Sequence, residues 1–306
     1  MFQKFIVDKE FHNSRLDRWF KVNVLNIPQS LIEKIIRKKK IKVNKKRTKT
    51  SYRVQTKDII EVFNLTKLKS NKNDKKTNKY KPALKEKKKY DDFVIEDNDN
   101  FIVINKPPGI PVQGGTKSFR NIIDTLRHTK YFDNSKPYIV HRLDKETSGV
   151  LIIAKNREYA QLFTSLFRIR KIHKTYLALI YGHLESNKNT LEDNLVYIEK
   201  NKKINQKAIS HLKVLKTFEN HSLVELNPIT GRKHQLRIQL YKRGNPIIGD
   251  KKYFLREYSK TKLKNKNLML HAYKIKFMIN NIKFNYKAEY SSEFHDFIKQ
   301  KNLNFF

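Results

Sequence analysis

Residues 64–90 hold eleven lysines against Asp74 and Glu86, with few apolar side chains and no periodicity, and they divide a chain of 306 residues, long enough for two domains or one large one, into two parts. Such a stretch buries too little to offset its ordering entropy and reads as a flexible linker. It separates residues 1–63 from residues 91–306, and each part must fold on its own apolar residues. The same stretch feeds a formal charge of +38, from 67 basic against 29 acidic residues. That excess exceeds what solubility needs and points to a polyanionic partner. Only 15 of the 67 are arginine, and a lysine surplus of this kind also follows from an A+T-rich genome, so the motifs must carry the rest.

Several classes of function drop out early. The chain has no cysteine, which removes disulfides, thiol catalysis and cysteine-ligated zinc and favours a reducing, cytoplasmic compartment. No apolar run approaches the ~18 residues of a membrane helix, and Met1–Asp8 lacks the apolar core and cleavage site of a signal peptide.

In the first part, Phe5-Ile6-Val7 reads as a strand. Ser14 then reads as the N-cap of a helix, with Asp17 in the capping-box position and Leu16, Trp19 and Phe20 on one face. Pro28 stands where a second helix starts, with Leu31, Ile32, Ile35 and Ile36 at helical spacing. That helix runs into Arg37-Lys38-Lys39-Lys40, and Ile41–Asn44 and Asp58–Phe63 follow as strands. From Arg37 to Lys49, nine of thirteen residues are basic and none is acidic. Cations at that density can track phosphates; a solvated charged face is the bland alternative.

In the second part, Phe101–Ile104 reads as a strand, Asn121–His128 as a short helix and Arg157–Arg170 as a longer one, with Ala160, Phe163, Leu166, Phe167 and Ile169 inward. The period then changes to two. Strands are expected at Tyr176–Ile180, Leu195–Ile198, Ser210–Lys216, Ser222–Leu226, Leu236–Leu240, Leu268–Phe277 and Ile282–Tyr290, before a last helix at Ser292–Gln300. The expected fold is α+β: a small α/β RNA-binding unit followed by a mixed, mainly antiparallel sheet flanked by helices. Between the apolar runs Tyr138–Val140 and Val150–Ala154 lies His141–Gly149, HRLDKETSG, a polar loop held by two strands. Catalytic side chains concentrate in such loops. Asp144 is its centre.

Two resemblances follow. Residues 14–63, with Arg15-Leu16-Asp17 opening the first helix, resemble the S4 type of RNA-binding domain, which implies RNA contacts from Arg15, Arg37, Lys38, Lys39, Lys40 and Lys42. One departure is that the family places a glycine between the second helix and the strand, where this chain has Lys38–Lys40. Four blocks of the second part, Asn105–Gly109, HRLDKETSG, Lys174–Ala178 and Gly231–Arg237, together with Pro246–Asp250 and Leu270–Ala272, resemble the RluA-type pseudouridine synthases. Gln113–Thr116 resembles the C type, which acts on large-subunit ribosomal RNA.

The resemblance implies isomerisation of uridine to its C-glycoside, with no cofactor, no metal and no obligate protein partner, on ribosomal RNA before or during ribosome assembly. It makes Asp144 the carboxylate acting on the ribose, as nucleophile at C1′ or base at C2′. Both routes need it ionised, and an arginine, here Arg237, opposes the upward drift that a dry pocket imposes on a carboxylate. Tyr176 would stack on the target base. Arg142 would enter the RNA stack in place of the flipped nucleotide, or alternatively clamp a phosphate. Arg232 and Lys233 would position phosphates, with His141, Lys174 and Gln235 as further RNA contacts. His141, His234 and His271 show no zinc-ligand spacing. A non-catalytic RNA-binding or ribosome-assembly factor and a tRNA-directed synthase are the competing readings.

Overall fold

The computed structural model describes residues 2–64, 82, 90–114, 120–133, 135–184, 189–199, 202–260 and 266–300. Most of the expected linker, and Gly115-Thr116, lie outside them. The chain divides into two compact units, Met1–Thr77 and Asn78–Phe306.

In the first unit, β1 (Phe2–Ile6), β3 (Ile41–Val43), β4 (Lys46–Arg47) and β6 (Ile59–Phe63) form an antiparallel sheet in the order β1-β6-β3-β4, while β2 (Ser14–Arg15) pairs with β5 (Arg53–Val54). Helices α1 (Leu16–Asn23) and α2 (Gln29–Arg37) bury Leu16, Trp19, Phe20, Ile32, Ile35 and Ile36 in the core. Ser14 is not an N-cap but a strand residue paired with Val54. Asp17 supplies the negative charge at the helix start instead. Its carboxylate accepts from the Arg18 N–H at 2.8 Å, from both ends of the Arg15 fork at 3.1 and 2.7 Å, and from Gln29 at the start of α2 at 2.6 Å.

The end of α2 shows why a glycine is usual there. Lys39 has φ 61°, its N–H bonds to the Ile36 carbonyl and the Lys40 N–H to that of Ile35, the pattern of a left-handed helix stop. A side chain in that conformation costs about 1–2 kcal/mol. The cost is accepted at Lys39, which leaves its ammonium exposed at the tip.

The second unit has ten strands among its described residues: β7 (Val94–Asp97), β8 (Phe101–Lys106), β9 (Tyr138–Ile139), β10 (Ser148–Ala154), β11 (His173–Tyr181), β12 (Thr190–Glu199), β13 (Lys202–Phe218), β14 (His221–Pro228), β15 (Leu270–Ile279) and β16 (Ile282–Lys287). They build one long sheet in the order β12-β13-β14-β11-β15-β10-β8-β7, with β16 beside β15 and β9 beside β10. The sheet is mixed because β10 runs parallel to β15 and its other pairings are antiparallel. Every residue of β10 is buried, which explains its continuous apolar sequence. Leu151 and Ile153 pack with Ile122, Ile123 and Leu126 of α3 (Ile122–Leu126) on one face. Val150 and Ile152 pack with Phe163 of α4 (Arg157–Arg168) on the other. Asn121 caps α3 by accepting from the Asp124 N–H at 2.9 Å, and Asn156 caps α4 from Tyr159 at the same distance.

Two expectations are corrected. Ile169 is not inward: α4 stops at Arg168 and Ile169 is 57% exposed. Leu236–Leu240 is not a strand but the middle of α5 (Gln235–Tyr241). Leu236 and Leu240 fall one turn apart in that helix and both are buried, so alternation and helical spacing coincide over a segment this short. The last helix, α6 (Ser292–Gln300), packs Phe294 and Phe297 into the core beneath β11 and α5.

Candidate active site

The loop from His141 to Thr147 is held from several sides before any chemistry is considered. Its start is fixed by His141, whose Nε2 accepts the Ile152 N–H at 2.9 Å while its ring lies 4.7 Å from that of Phe167. Burial, with the Lys174 charge, pulls the imidazole down to about 3, so it stays neutral and able to accept. Leu143 plugs the core. The Lys145 carbonyl accepts from Gly109 N–H at 2.9 Å and from Lys106 Nζ at 3.0 Å. Lys106 is wholly buried and also donates to the carbonyls of Pro107 and Ile110 at 2.8 and 2.9 Å. Burial draws its pKa down to about 7 against the opposing charges of Glu146 and Asp144. One ammonium thus ties the proline-rich turn to the HRLD loop. At the loop's far end Gly149 has φ 109°, and a Cβ there would lie 2.3 Å from the Ala272 carbonyl oxygen; only glycine lets β10 approach β15 so closely.

Asp144 emerges from this frame a quarter exposed, in a cavity of about 740 Å³. Arg237 Nη1 lies 3.7 Å from one carboxylate oxygen and His234 Nε2 3.8 Å from the other. Arg237 comes from α5, and its stronger partner is Asp250: Nε and Nη2 each donate to Asp250 at 2.7 Å. Burial works against the guanidinium charge, but the paired Asp250 and the nearby Asp144 outweigh it and raise its pKa. Asp250 is fixed in turn by the N–H groups of Lys252 and Tyr253, at 2.8 and 2.9 Å. Such two-point pairing sets direction as well as charge.

His234 precedes α5 in a left-handed conformation, φ 53°. Its Nδ1 is 2.9 Å from the Tyr253 hydroxyl. Burial lowers its pKa despite Asp144, and a neutral ring accepting at Nδ1 presents Nε2–H to Asp144.

Tyr176 lines the same cavity. The β11–β15 register shifts between Thr175 and Leu177, so Tyr176 falls at an irregularity between paired residues. Bulges re-aim a side chain in this way. Its phenol is pushed up by burial and then by the Asp144 charge, so it stays protonated at neutral pH. The other charged side chains of the walls are basic: Arg142, Arg168, Arg170, Lys174, Arg232 and Lys233 line the cavity, with Asp144 the one carboxylate among the described lining residues. Burial lowers Lys174 to about 8, leaving it mostly charged at pH 7.

Comparison with known proteins adds independent weight. The model of the RNA pseudouridylate synthase family matches residues 100–242, and that of the S4 domain residues 14–60. The chain is 36% identical to the ribosomal large subunit pseudouridine synthase C of Rickettsia conorii, over 85% of this chain and 88% of that protein. It is 32% identical to the protein of the same name from Buchnera aphidicola subsp. Schizaphis graminum, over 89% and 88%. The chain belongs to the RNA pseudouridylate synthase family. Among solved structures, human RNA pseudouridylate synthase domain containing 4 superposes with a TM-score of 0.61 at 25% identity, covering 71% of this chain and 95% of that one.

Within this family frame the structure gathers Asp144, Tyr176 and Arg237 with Arg142, Lys174, Arg232 and Lys233 around one cavity. Two residues expected to touch RNA have other engagements. His141 holds the loop to β10. Gln235 is buried; its carbonyl accepts from Thr230 and the Arg232 N–H at 2.7 and 3.0 Å, and its amide donates to Ser210 and the Ile209 carbonyl at 2.8 and 3.1 Å. It therefore fixes the 230–232 loop. In the first unit, Arg37, Lys38 and Lys39 are exposed, Lys40 and Lys42 are partly buried, and Arg15 is engaged by Asp17.

Sequence reasoning missed several residues of the site. Lys106 and Asp250 lay inside quoted blocks but carried no assigned role, and Arg168 and Arg170 read only as a helix end. Nothing local marks Tyr253.

Proposed function

We propose that this protein converts uridines of large-subunit ribosomal RNA to pseudouridine, with Asp144 as the group that acts on the ribose. The observation that carries the reading is a cavity in which, among the described lining residues, Asp144 is the one carboxylate and the other fixed charges are cations, with Arg237 3.7 Å away. The cations draw in a phosphodiester chain, and among the described lining residues the carboxylate is the one anionic group in the space that chain enters.

The reaction is an isomerisation. The C1′–N1 bond breaks, the uracil turns, C5 bonds to C1′, the proton of C5 leaves and N1 takes one up. Asp144 either adds to C1′, to be displaced when C5 bonds there, or removes the proton at C2′ and later returns it, with Arg237 3.7 Å from its carboxylate on both routes. The protonated phenol of Tyr176 serves as a stacking surface for the base. Arg142, exposed at the cavity, fills the gap left by the flipped nucleotide, a displacement that otherwise costs a few kcal/mol of lost stacking. Arg232 and Lys233 take phosphates, and the exposed Arg37–Lys39 tip of the first unit holds RNA outside the cavity. A nucleotide must leave its stack to reach Asp144, which favours RNA before or during ribosome assembly as the substrate. The names of the relatives support the ribosomal substrate.

The test uses purified protein and a large-subunit ribosomal RNA transcript carrying tritium at uracil C5. Each isomerisation releases that tritium to water. Release from tRNA transcripts alone would move the substrate to tRNA, and release from neither would overturn the activity.

A further inference from the structure

A second cavity, of about 830 Å³, adjoins the first at Lys233, which lines both. Its walls come from the β12–β13 hairpin, through Leu195, Tyr197 and Ile204, and from α5, through Ile238 and Tyr241; Lys242, Lys252 and Tyr253 complete it. The connection to the reaction site is built in twice. The Tyr197 hydroxyl donates to the Lys233 carbonyl at 2.9 Å, which ties the hairpin to the loop before α5. Tyr253 contacts His234 through its hydroxyl, and its ring lies 5.2 Å from the Arg237 guanidinium and 5.2 Å from Lys252 Nζ.

The chemistry of the walls narrows the occupant. Three tyrosines and aliphatic side chains offer flat apolar surface, and three lysines with no carboxylate line it among the described residues. Lys242 and Lys252 are exposed, with Lys242 Nζ held near the Asn194 carbonyl at 3.4 Å and Asp193 at 3.9 Å. Aromatic faces beside cations, without a set of buried polar groups to read a base edge, suit an unpaired nucleotide held by stacking and phosphate contact. A strand that continues from the first cavity into the second passes Lys233, the residue that lines both.

We propose that this second cavity binds an unpaired nucleotide flanking the reacting uridine, its base against the tyrosines and its phosphate at Lys242 and Lys252. The proposal rests on the RNA-modifying reading of the first cavity. Its effect is on substrate capture, because among its described walls Lys233 alone also lines the cavity around Asp144.

The test uses the full chain with Lys242→Glu, on the same ribosomal transcript. KM is expected to rise about tenfold or more, as for loss of a stacked, phosphate-bound nucleotide, with kcat within twofold. Transcript substituted with 4-thiouridine and irradiated on wild-type protein should crosslink to peptides bearing Tyr197 or Tyr241. Crosslinking needs no turnover, so a wild-type protein that crosslinks there but releases no tritium sinks the catalytic reading and leaves this one standing. An unchanged KM in Lys242→Glu, or crosslinks confined to the first cavity, overturns it.

Discussion

At the tip of α2 the cations stand in water: Arg37, Lys38 and Lys39 are exposed and none of them enters an ion pair among the described residues. Around Asp144 the most important cation is buried and directed, Arg237 being forked onto Asp250 at 2.7 Å through two nitrogens. Charge of one sign thus does two jobs. Solvated lysines give affinity that salt screens, through released counterions. A buried, paired arginine gives little net binding but is held in a fixed position and direction beside the carboxylate it faces.

Substitutions can separate the two roles. The largest effect is expected from Asp144→Asn, which should abolish tritium release while RNA affinity stays within a few-fold, because charge is removed but little contact surface. Turnover near wild type would contradict the assignment. Asp250→Asn comes next. It keeps the shape but leaves Arg237 buried with half its pairing, so kcat should fall about a hundredfold, in line with about 2–3 kcal/mol for a disrupted charged hydrogen bond, with KM nearly unchanged. A KM-only effect would show that Asp250 serves binding instead.

Smaller still, replacing Arg37, Lys38 and Lys39 by Ala should leave kcat alone and weaken RNA binding. The slope of log affinity against log salt should flatten by about 0.7–0.9 for each phosphate that is no longer neutralised. An unchanged slope would remove this tip from the RNA interface.

The smallest effect is on stability. His141 and His271, both in the second unit, are pulled down to about 3 and about 4 by burial. Unfolded, each titrates near 6.5 and takes up a proton that the native state refuses. Stability is therefore full above about pH 6.5 and falls as pH drops towards the folded values, by about 1–2 kcal/mol per histidine at about pH 5. The chain's one tryptophan, Trp19, is buried in the first unit. Between pH 7 and pH 5, the urea midpoint read by circular dichroism should drop while that read by Trp19 fluorescence stays nearly fixed. Parallel shifts would mean that the two units do not unfold separately.

How far the sequence carried this picture depended on the distance over which each feature is encoded. The strands β8 and β10 were legible because they are continuous apolar runs, and the HRLD loop because polar residues interrupt such runs. Arg237 and Asp144 were legible through motif resemblance. Segment 235–241 was not, since Leu236, Ile238 and Leu240 alternate like a strand while Leu236 and Leu240 also stand one helical turn apart. The helix is settled by Gln239, whose amide reaches the Leu191 carbonyl at 3.0 Å across 48 positions. Lys106 reads as a polar strand end, and only the three converging carbonyls explain its burial. Tyr253 acquires meaning solely from neighbours brought to it by α5. Local pattern reports faces and loops; it is silent on partners that folding assembles from distant strands.

The central claim is that a carboxylate set in a cationic cavity isomerises uridine in large-subunit ribosomal RNA. Pseudouridine mapping across total RNA tests it most directly, in cells lacking the protein and in the same cells supplied with wild type or Asp144→Asn. Specific large-subunit positions should lose pseudouridine without the protein and regain it only with wild type. A map unchanged by its loss, or restored equally by Asp144→Asn, would contradict the account.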